Sequence, residues 1–364
     1  MKQKIKVFEV IPTLGGGGAE KVVIELADGL DNNLFDVTII SLYDSTYAID
    51  SRVAYCEQKG IKIVYLNKKS GFDFGLLRRL VQLISKEKPD VVHTHLYSYK
   101  YVVLLDAFFK YKHIHTFHST IGYERGIFDF LLKVDSKIGK THFAVLVERF
   151  IIDMQKRYHV KNERVSCIHN GIDETLFCKK DRLANKENIT FITVGSLISV
   201  KNHDCLLAAF EKLEKRRNNQ DLLYIIGDGD RKAELVDICR NKGIDQNVVF
   251  TGNVSNVVDY LHKADVYVCS SHFEGMSLAI VEAASTGLPL ICSNTGGTGD
   301  VVGENAVLFN DNDSDKLEEL MYQMATDYEY RKDYTNRAVK LSMKYTQKTM
   351  VRNYEKLYTD TKQF

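Results

Sequence analysis

From residue 5 onward the chain alternates short β-branched runs with longer stretches of helical period, and it does so in two successive series. That pattern dictates parallel α/β architecture, because parallel strands must be joined by crossovers long enough to hold a helix. The first series reads as strands at 5–11, 36–42, 61–65, 90–94, 113–117, 142–146 and 164–168, with helices at 19–30, 73–87, 98–109 and 148–158. The second starts over with strands at 189–194, 222–226, 247–250, 265–269 and 289–292. Its helices fall at 202–217, 230–242, 256–263 and 277–286, with more after Asp313. Two such series predict two doubly wound domains facing across a cleft, with ligands held beyond the carboxyl ends of the strands. The expected domains are residues 1–170 and 171–344. They join in the stretch from His169 to Glu187, where Asn170-Gly171 supplies a turn and Lys/Asp/Asn-rich sequence follows. A last helix at about 345–364 carries Met350, Tyr354 and Leu357 at spacings of four and three, and is expected to pack back on the first domain.

Composition narrows the function classes. A chain of 364 residues, 45% hydrophobic and 27% charged, has the make-up of a globular protein with room for two cores. The formal charge of +1 argues against a dedicated nucleic-acid binder. It conceals a split, since residues 1–170 carry +6 and the remainder −5. Seven cysteines, an odd number without a C-x-x-C pair, suggest neither a disulfide framework nor a zinc site, and fit a reducing cytosol. Lys2, Lys4 and Lys6 precede an apolar run that Glu9 interrupts, a poor signal peptide. No run reaches the roughly 18 apolar residues of a spanning helix, and even Tyr101 to Phe109 contains Asp106. The expected location is cytoplasmic, peripheral on the inner face of the cell membrane.

Three motifs bear on chemistry. Gly15-Gly16-Gly17-Gly18 lies between a strand and a helix, where backbone N–H groups and the helix dipole suit phosphate. It is not a dinucleotide fingerprint, because the third glycine position holds Glu20 counted from Gly15 and Lys21 counted from Gly16. Second, Glu274-Gly275-Met276-Ser277-Leu278 leads to Glu282 on a following helix. The spacing puts Glu274 before the helix and Glu282 about two turns inside it. A carboxylate can accept two hydrogen bonds from vicinal sugar hydroxyls, and the amides between the two glutamates can receive negative oxygens. Third, Gly195-Ser196 leads to Lys201 at the start of a helix, where a cation opposes the dipole unless an anion sits nearby.

In this order and spacing the motifs resemble the family 4 (group 1) glycosyltransferases of the GT-B fold, which has two facing Rossmann-like domains. Asp90-Val91-Val92-His93-Thr94-His95, Thr116-Phe117-His118 and Asn170-Gly171-Ile172-Asp173 with Phe177 match further family segments. So do Gly227-Asp228-Gly229, Phe250-Thr251-Gly252 and Gly296-Gly297, so that the resemblance spans nearly the whole chain. It implies a retaining enzyme that moves a sugar from a UDP- or GDP-sugar to a glycan or lipid-linked acceptor in bacterial surface polysaccharide synthesis, with no cofactor or metal required. By the same resemblance Gly17 and Gly18 lie against the donor, and Lys201 compensates the diphosphate. Glu282 holds the ribose, Glu274 the transferred sugar, and the amides of Gly275 to Leu278 contact sugar and phosphate. His118 faces the reacting centre, and His95 is assigned to the acceptor side. Ser196 stands where many members have arginine, which removes a bidentate contact to the diphosphate.

The histidines at 93, 95, 113, 115 and 118 could be read as a metal cluster, but strand alternation makes His93 and His113 packed or hydrogen-bonded groups. The segment from Ile121 to Lys140 sets Ile127, Phe128, Phe130, Leu131 and Leu132 beside Arg125, Lys133, Lys137 and Lys140. That mixture suits an anionic membrane surface, or else an internal helix. A nucleotide-sugar epimerase of similar fold and a non-catalytic partner with the same architecture are the alternative functions.

Overall fold

The structure is a computed structural model and describes residues 3–119, 121, 124–180, 186–218 and 220–360. Residues 122–123 of the apolar and basic segment, 181–185 of the expected junction and 361–364 of the last helix lie outside the described residues. The chain divides into two compact units, one of Met1–Gly171 with Gln347–Phe364 and one of Ile172–Thr346.

The first unit holds seven strands: β1 (Ile5–Ile11), β2 (Phe35–Ser41), β3 (Lys62–Tyr65), β4 (Val91–His95), β5 (Lys112–Thr116), β6 (His142–Val145) and β7 (Val165–Cys167). Their order in the sheet is β3-β2-β1-β4-β5-β6-β7, and every pairing is parallel. Helices α1 (Gly18–Gly29), α2 (Asp50–Gln58), α3 (Phe74–Glu87), α4 (Tyr99–Val102), α5 (Gly126–Ile138) and α6 (Arg149–Tyr158) follow the strands. Alternate residues of β1 and β2 enter different clusters: Phe8, Val10 and Ile40 pack on one side, Ile11 and Ile39 on the other. Both faces of the sheet are therefore covered, which is why its strands read as near-continuous apolar runs.

The second unit repeats the plan with β8 (Thr190–Val194), β9 (Leu222–Ile226), β10 (Val248–Gly252), β11 (Val266–Cys269), β12 (Leu290–Ser293) and β13 (Val307–Phe309), ordered β10-β9-β8-β11-β12-β13. Its helices are α7 (His203–Arg217), α8 (Lys232–Lys242), α9 (Val257–Lys263), α10 (Leu278–Ser285), α11 (Thr298–Val302), α12 (Ser314–Thr326) and α13 (Tyr328–Ser342). Asn202 caps α7 by accepting from the Cys205 amide, and the helix then buries Leu206, Leu207, Phe210 and Leu213. Each such side chain contributes roughly 1.5–3 kcal/mol.

The last helix, α14 (Gln347–Thr359), belongs to the first unit and buries Met350, Tyr354, Leu357 and Tyr358 there. Several elements differ from the periodicity reading, among them α5 and α11, which it does not include. The expected helix at 98–109 is broken into a 3-10 turn, the four residues of α4 and another 3-10 turn. Side chains from this stretch are drawn elsewhere, Tyr99 to Asp135 at 2.8 Å and Asp106 to His113 at 2.7 Å. Helix α2 was not anticipated, because Cys56 is its one buried residue and its apolar stripe is weak. Strand β13 is three residues long, too short for a period to register.

Candidate active site

In the second unit two loops at the carboxyl edge of the sheet meet through a lysine and a glutamate. Strand β8 leads into Gly195-Ser196-Leu197 and a single 3-10 turn, Ser199–Lys201, ahead of α7. Its neighbour β11 leads into the loop that carries Ser270, Ser271 and Glu274. The two are stitched together, with the His272 amide donating to the Val200 carbonyl and Ser270 Oγ to the carbonyls of Lys201 and Asn202, at 2.8 to 3.1 Å. On that base Lys201 Nζ lies 2.5 Å from Glu274 Oε1, which also accepts from Ser271 Oγ at 2.8 Å. Burial pulls the Lys201 pKa down, but the charge and hydrogen bond of Glu274, with Cys269, together outweigh it and raise it, so the ammonium persists.

Glycines explain how the loops close. Gly296 has φ +54°, and a Cβ there would stand 2.1 Å from the Glu274 carbonyl, to which the Gly297 amide donates at 2.8 Å. Only glycine allows that approach. Gly227, at φ +135°, likewise backs directly on the Gly195 carbonyl, so the Gly-Asp-Gly motif serves packing behind the loop of Lys201. Beyond Glu274 the chain stays out of helix until Leu278, and no side chain caps the first turn of α10. Glu282 is therefore about one turn inside α10, where the spacing had suggested two, and it is 7% exposed. Gly275, Met276 and Leu278 are buried, Ser277 half-buried and Ser196 exposed.

The first unit has a different polar centre. Glu9, in the middle of β1, is fully buried beside His93 and His95 of β4. Its Oε2 lies 2.8 Å from His95 Nε2 and 3.0 Å from His93 Nδ1, and its Oε1 accepts from the Tyr358 hydroxyl at 2.6 Å. His93 also meets Tyr358 and, through Nε2, the Thr116 hydroxyl, which contacts Tyr354. Burial alone would raise the Glu9 carboxyl, but the charges and hydrogen bonds of His93 and His95 prevail and hold it well below the usual range. His95 is pushed down to about 4 by burial and by His93, so it is neutral near pH 7. His118, half-buried after β5, is depressed by burial and by His95.

This ionisation state fixes proton positions. An anionic Glu9 can only accept, so His95 carries its proton on Nε2 and presents a lone pair at Nδ1. His118 Nε2, 2.9 Å from that Nδ1, must then donate, which leaves His118 Nδ1 as an acceptor. Glu9, His93 and His95 also place three donor atoms within 4.8 Å of one another, spacing that their hydrogen bonds account for. Beside this centre the glycine loop runs into α1 with Gly17 at its N-cap and no side-chain cap, while Arg52 of α2 donates to the carbonyls of Gly15 and Gly17.

The structure thus joins Lys201 to Glu274 in the second unit and His95 to His118 in the first. Sequence reading missed Glu9, which looked like a break in an apolar run, and the Tyr354 and Tyr358 hydroxyls, more than 230 residues away from their partners. It also missed Arg52 and Ser271, for which no local pattern exists.

Two Rossmann-like α/β units, one with a lysine–glutamate pair beside an uncapped helix start, define the GT-B class. Residues 150–341 match the family model of glycosyl transferases group 1, and residues 16–176 that of glycosyltransferase family 4. The chain belongs to this family and is a glycosyltransferase. It is 28% identical over 319 residues, 81% of this chain and 80% of the relative, to an Escherichia coli UDP-Gal:alpha-D-GlcNAc-diphosphoundecaprenol alpha-1,3-galactosyltransferase. It is 26% identical over 304 residues, 80% of this chain and 81% of the relative, to the Staphylococcus aureus capsular polysaccharide biosynthesis glycosyltransferase CapH. The crystal structure of Anabaena Alr3699/HepE in complex with UDP and glucose superposes with a TM-score of 0.83 at 16% identity, covering 98% of this chain and 100% of that one. Among the described residues no helix is long and apolar enough to cross a membrane.

Proposed function

We propose that the enzyme transfers a hexosyl or N-acetylhexosaminyl group, with retention of configuration, from a UDP- or GDP-sugar to a glycan or lipid-linked acceptor of bacterial surface polysaccharide synthesis. The observation that carries this reading is the Lys201–Glu274 pair at the uncapped start of α10, with Glu282 one turn further on. The diphosphate lies against Lys201, the Ser196 hydroxyl and the amides of Gly275 to Leu278. Glu282 accepts from the ribose hydroxyls and Glu274 from those of the sugar. In the transfer step the bond from the anomeric carbon to the diphosphate oxygen breaks and the acceptor oxygen bonds to that carbon on the same face. The acceptor proton passes to the departing diphosphate. Lys201 and the amides stabilise the charge that develops there, a preorganised arrangement that uses no metal. In the first unit His118 is held with Nδ1 as an acceptor for a hydroxyl group.

The reading extends to location, cytoplasmic and peripheral on the membrane. Helix α5 exposes Ile127, Phe130, Val134 and Ile138, spaced three, four and four apart, beside Arg125, Lys133 and Lys137. Leu132 packs inward, and Phe128 lies against Tyr99 and His115. Such a stripe suits an anionic lipid surface. Sedimentation with phosphatidylglycerol vesicles at low salt should carry the protein down, and failure to do so removes the membrane part. A thermal-shift screen tests the enzymatic part: a UDP- or GDP-sugar at about 100 times its Kd adds about 2.7 kcal/mol of stability. No stabilisation by any nucleotide-sugar, with no transfer, would sink it.

A further inference from the structure

At the carboxyl edge of the first sheet, outside the centre built on Glu9, two lysines stand among tyrosines, with Glu20 acting on Tyr97. Lys68, three residues past β3, is 7% exposed. Its ammonium donates to the carbonyls of Lys69 and Gly71, both at 2.7 Å, and to the Tyr43 hydroxyl at 3.1 Å. Lys100, on α4, lies 4.9 Å from the ring centroid of Tyr97 and 5.3 Å from that of Tyr101, and Lys68 sits 5.9 Å from the same Tyr101 ring. Among the described residues neither lysine forms a salt bridge, and Lys100 forms no hydrogen bond. Burial, and after it the like charge of Lys68, lowers the Lys100 pKa.

A donor count gives the chemistry. Tyr43 follows β2 and Tyr97 follows β4. Lys68, which can only donate, takes a lone pair of Tyr43. Neither phenol nor the Lys100 ammonium donates a hydrogen bond among the described residues. The cluster therefore offers donors and positive charge. Asn67 and Leu96, immediately before Lys68 and Tyr97, both hold left-handed backbone (φ +50° and +53°), strain of a kind that gathers at ligand sites. Next to the cluster, Phe72 stacks on Tyr101 at 5.2 Å and pairs with Phe74, which is 77% exposed.

We propose that Lys68, Lys100, Tyr43 and Tyr97 bind a phosphate-class oxyanion of the acceptor, with Phe72 and Phe74 alongside to receive an apolar chain attached to it. The site rests on the acceptor reading above and narrows it to an acceptor that carries phosphate or diphosphate on a lipid. An ammonium with phenolic donors recognises such oxygens by charge-assisted hydrogen bonds, and the exposed rings supply the contact a polyprenyl chain needs.

Isothermal titration of the full chain with farnesyl diphosphate and with inorganic pyrophosphate tests the site. Lys100→Met keeps the stem over the rings and removes the charge, and should weaken both probes tenfold or more. Tyr43→Phe should weaken both several-fold, and Phe74→Ala farnesyl diphosphate alone. Repeating the titrations in Lys201→Ala should preserve the part that depends on Lys100, which separates it from any anion bound in the second unit. Wild-type binding of both probes by Lys100→Met and Tyr43→Phe overturns the proposal. If pyrophosphate depends on Lys100 and Phe74→Ala changes nothing, the oxyanion site stands with a soluble phosphate as its source and the lipid part falls. Nucleotide-sugar stabilisation should be unchanged in all three variants. Its absence from the wild type would count against the donor reading and leave the Lys100 result intact.

Discussion

The two units share a plan but treat charge in opposite ways. In the first, Glu9 is fully buried and ringed by His93, His95 and the Tyr358 hydroxyl, so every partner is permanent. In the second, the side chains of Lys201 and Glu274 stay 23% and 12% exposed and hold each other across two loops. A buried charge in a closed set of partners cannot exchange them without losing several kcal/mol, so the first centre positions and does not trade. A partly wet ion pair costs little to separate. On the proposed function, Lys201 turns from a carboxylate to an incoming diphosphate and frees Glu274 for sugar hydroxyls.

The largest effect that would sharpen this contrast is on catalysis. Lys201→Ala should lower kcat by about 10²–10³-fold, the scale for losing one preorganised donor, while the unfolding midpoint of the second unit hardly moves. A kcat within threefold of wild type in steady-state transfer assays would break the assignment. Glu9→Ala should do the reverse and act through the fold, leaving His93, His95 and Tyr358 without their common acceptor at a cost of about 3–5 kcal/mol. Hydrogen exchange should locate the loss in the first unit and leave residues 172–346 protected.

Acid should separate the units less sharply. His95 at about 4, with His115 and His118 also depressed, means that the unfolded first unit takes up protons first as pH falls below about 6.5. Stability is therefore lost from pH 6.5 down toward 4. The second unit has one such histidine, His203 at about 4, and an opposing carboxyl, Glu214, pushed up to about 7 by burial and by Asp221. Glu214 adds stability as pH falls from 7 to 4.5. Between pH 7 and pH 5, exchange corrected for intrinsic rates should accelerate more in the first unit, and equal acceleration would contradict the contrast. The smallest effect concerns Ser196, exposed beside the pair. Ser196→Arg should tighten nucleoside diphosphate binding a few-fold by restoring a guanidinium, read by titration with UDP and GDP.

Much of this was legible in the sequence, and what was not has a common cause. Strands and most helices announce themselves because their periods are local, as in β1 or α7. The lysine and glutamates of the second unit could be singled out because each stands in a short motif next to a strand end. That Lys201 and Glu274 contact each other, 73 positions apart, is tertiary information. Glu9 is the plainest case: beside its neighbours it is an interruption, and only the register of β1 against β4, which sets Glu9 opposite His93, makes it the hub of a network. Tyr354 registered as an apolar-face residue at helical spacing, and its hydroxyl carried no signal. The tyrosine and lysine cluster is scattered over the ends of three strands and has no sequence signature.

Helix α14 makes the first unit discontinuous along the chain, and this bears on the order of synthesis. On the ribosome residues 172–346 are complete before Tyr354 and Tyr358 emerge. The half that is translated first is then the last to finish folding, against the usual N-terminal-first sequence. Until α14 arrives, Glu9 and His93 lack the Tyr358 hydroxyl, so a chain that ends near residue 346, once released from the ribosome, should expose an unfinished first unit to chaperones and proteases while its second unit is complete.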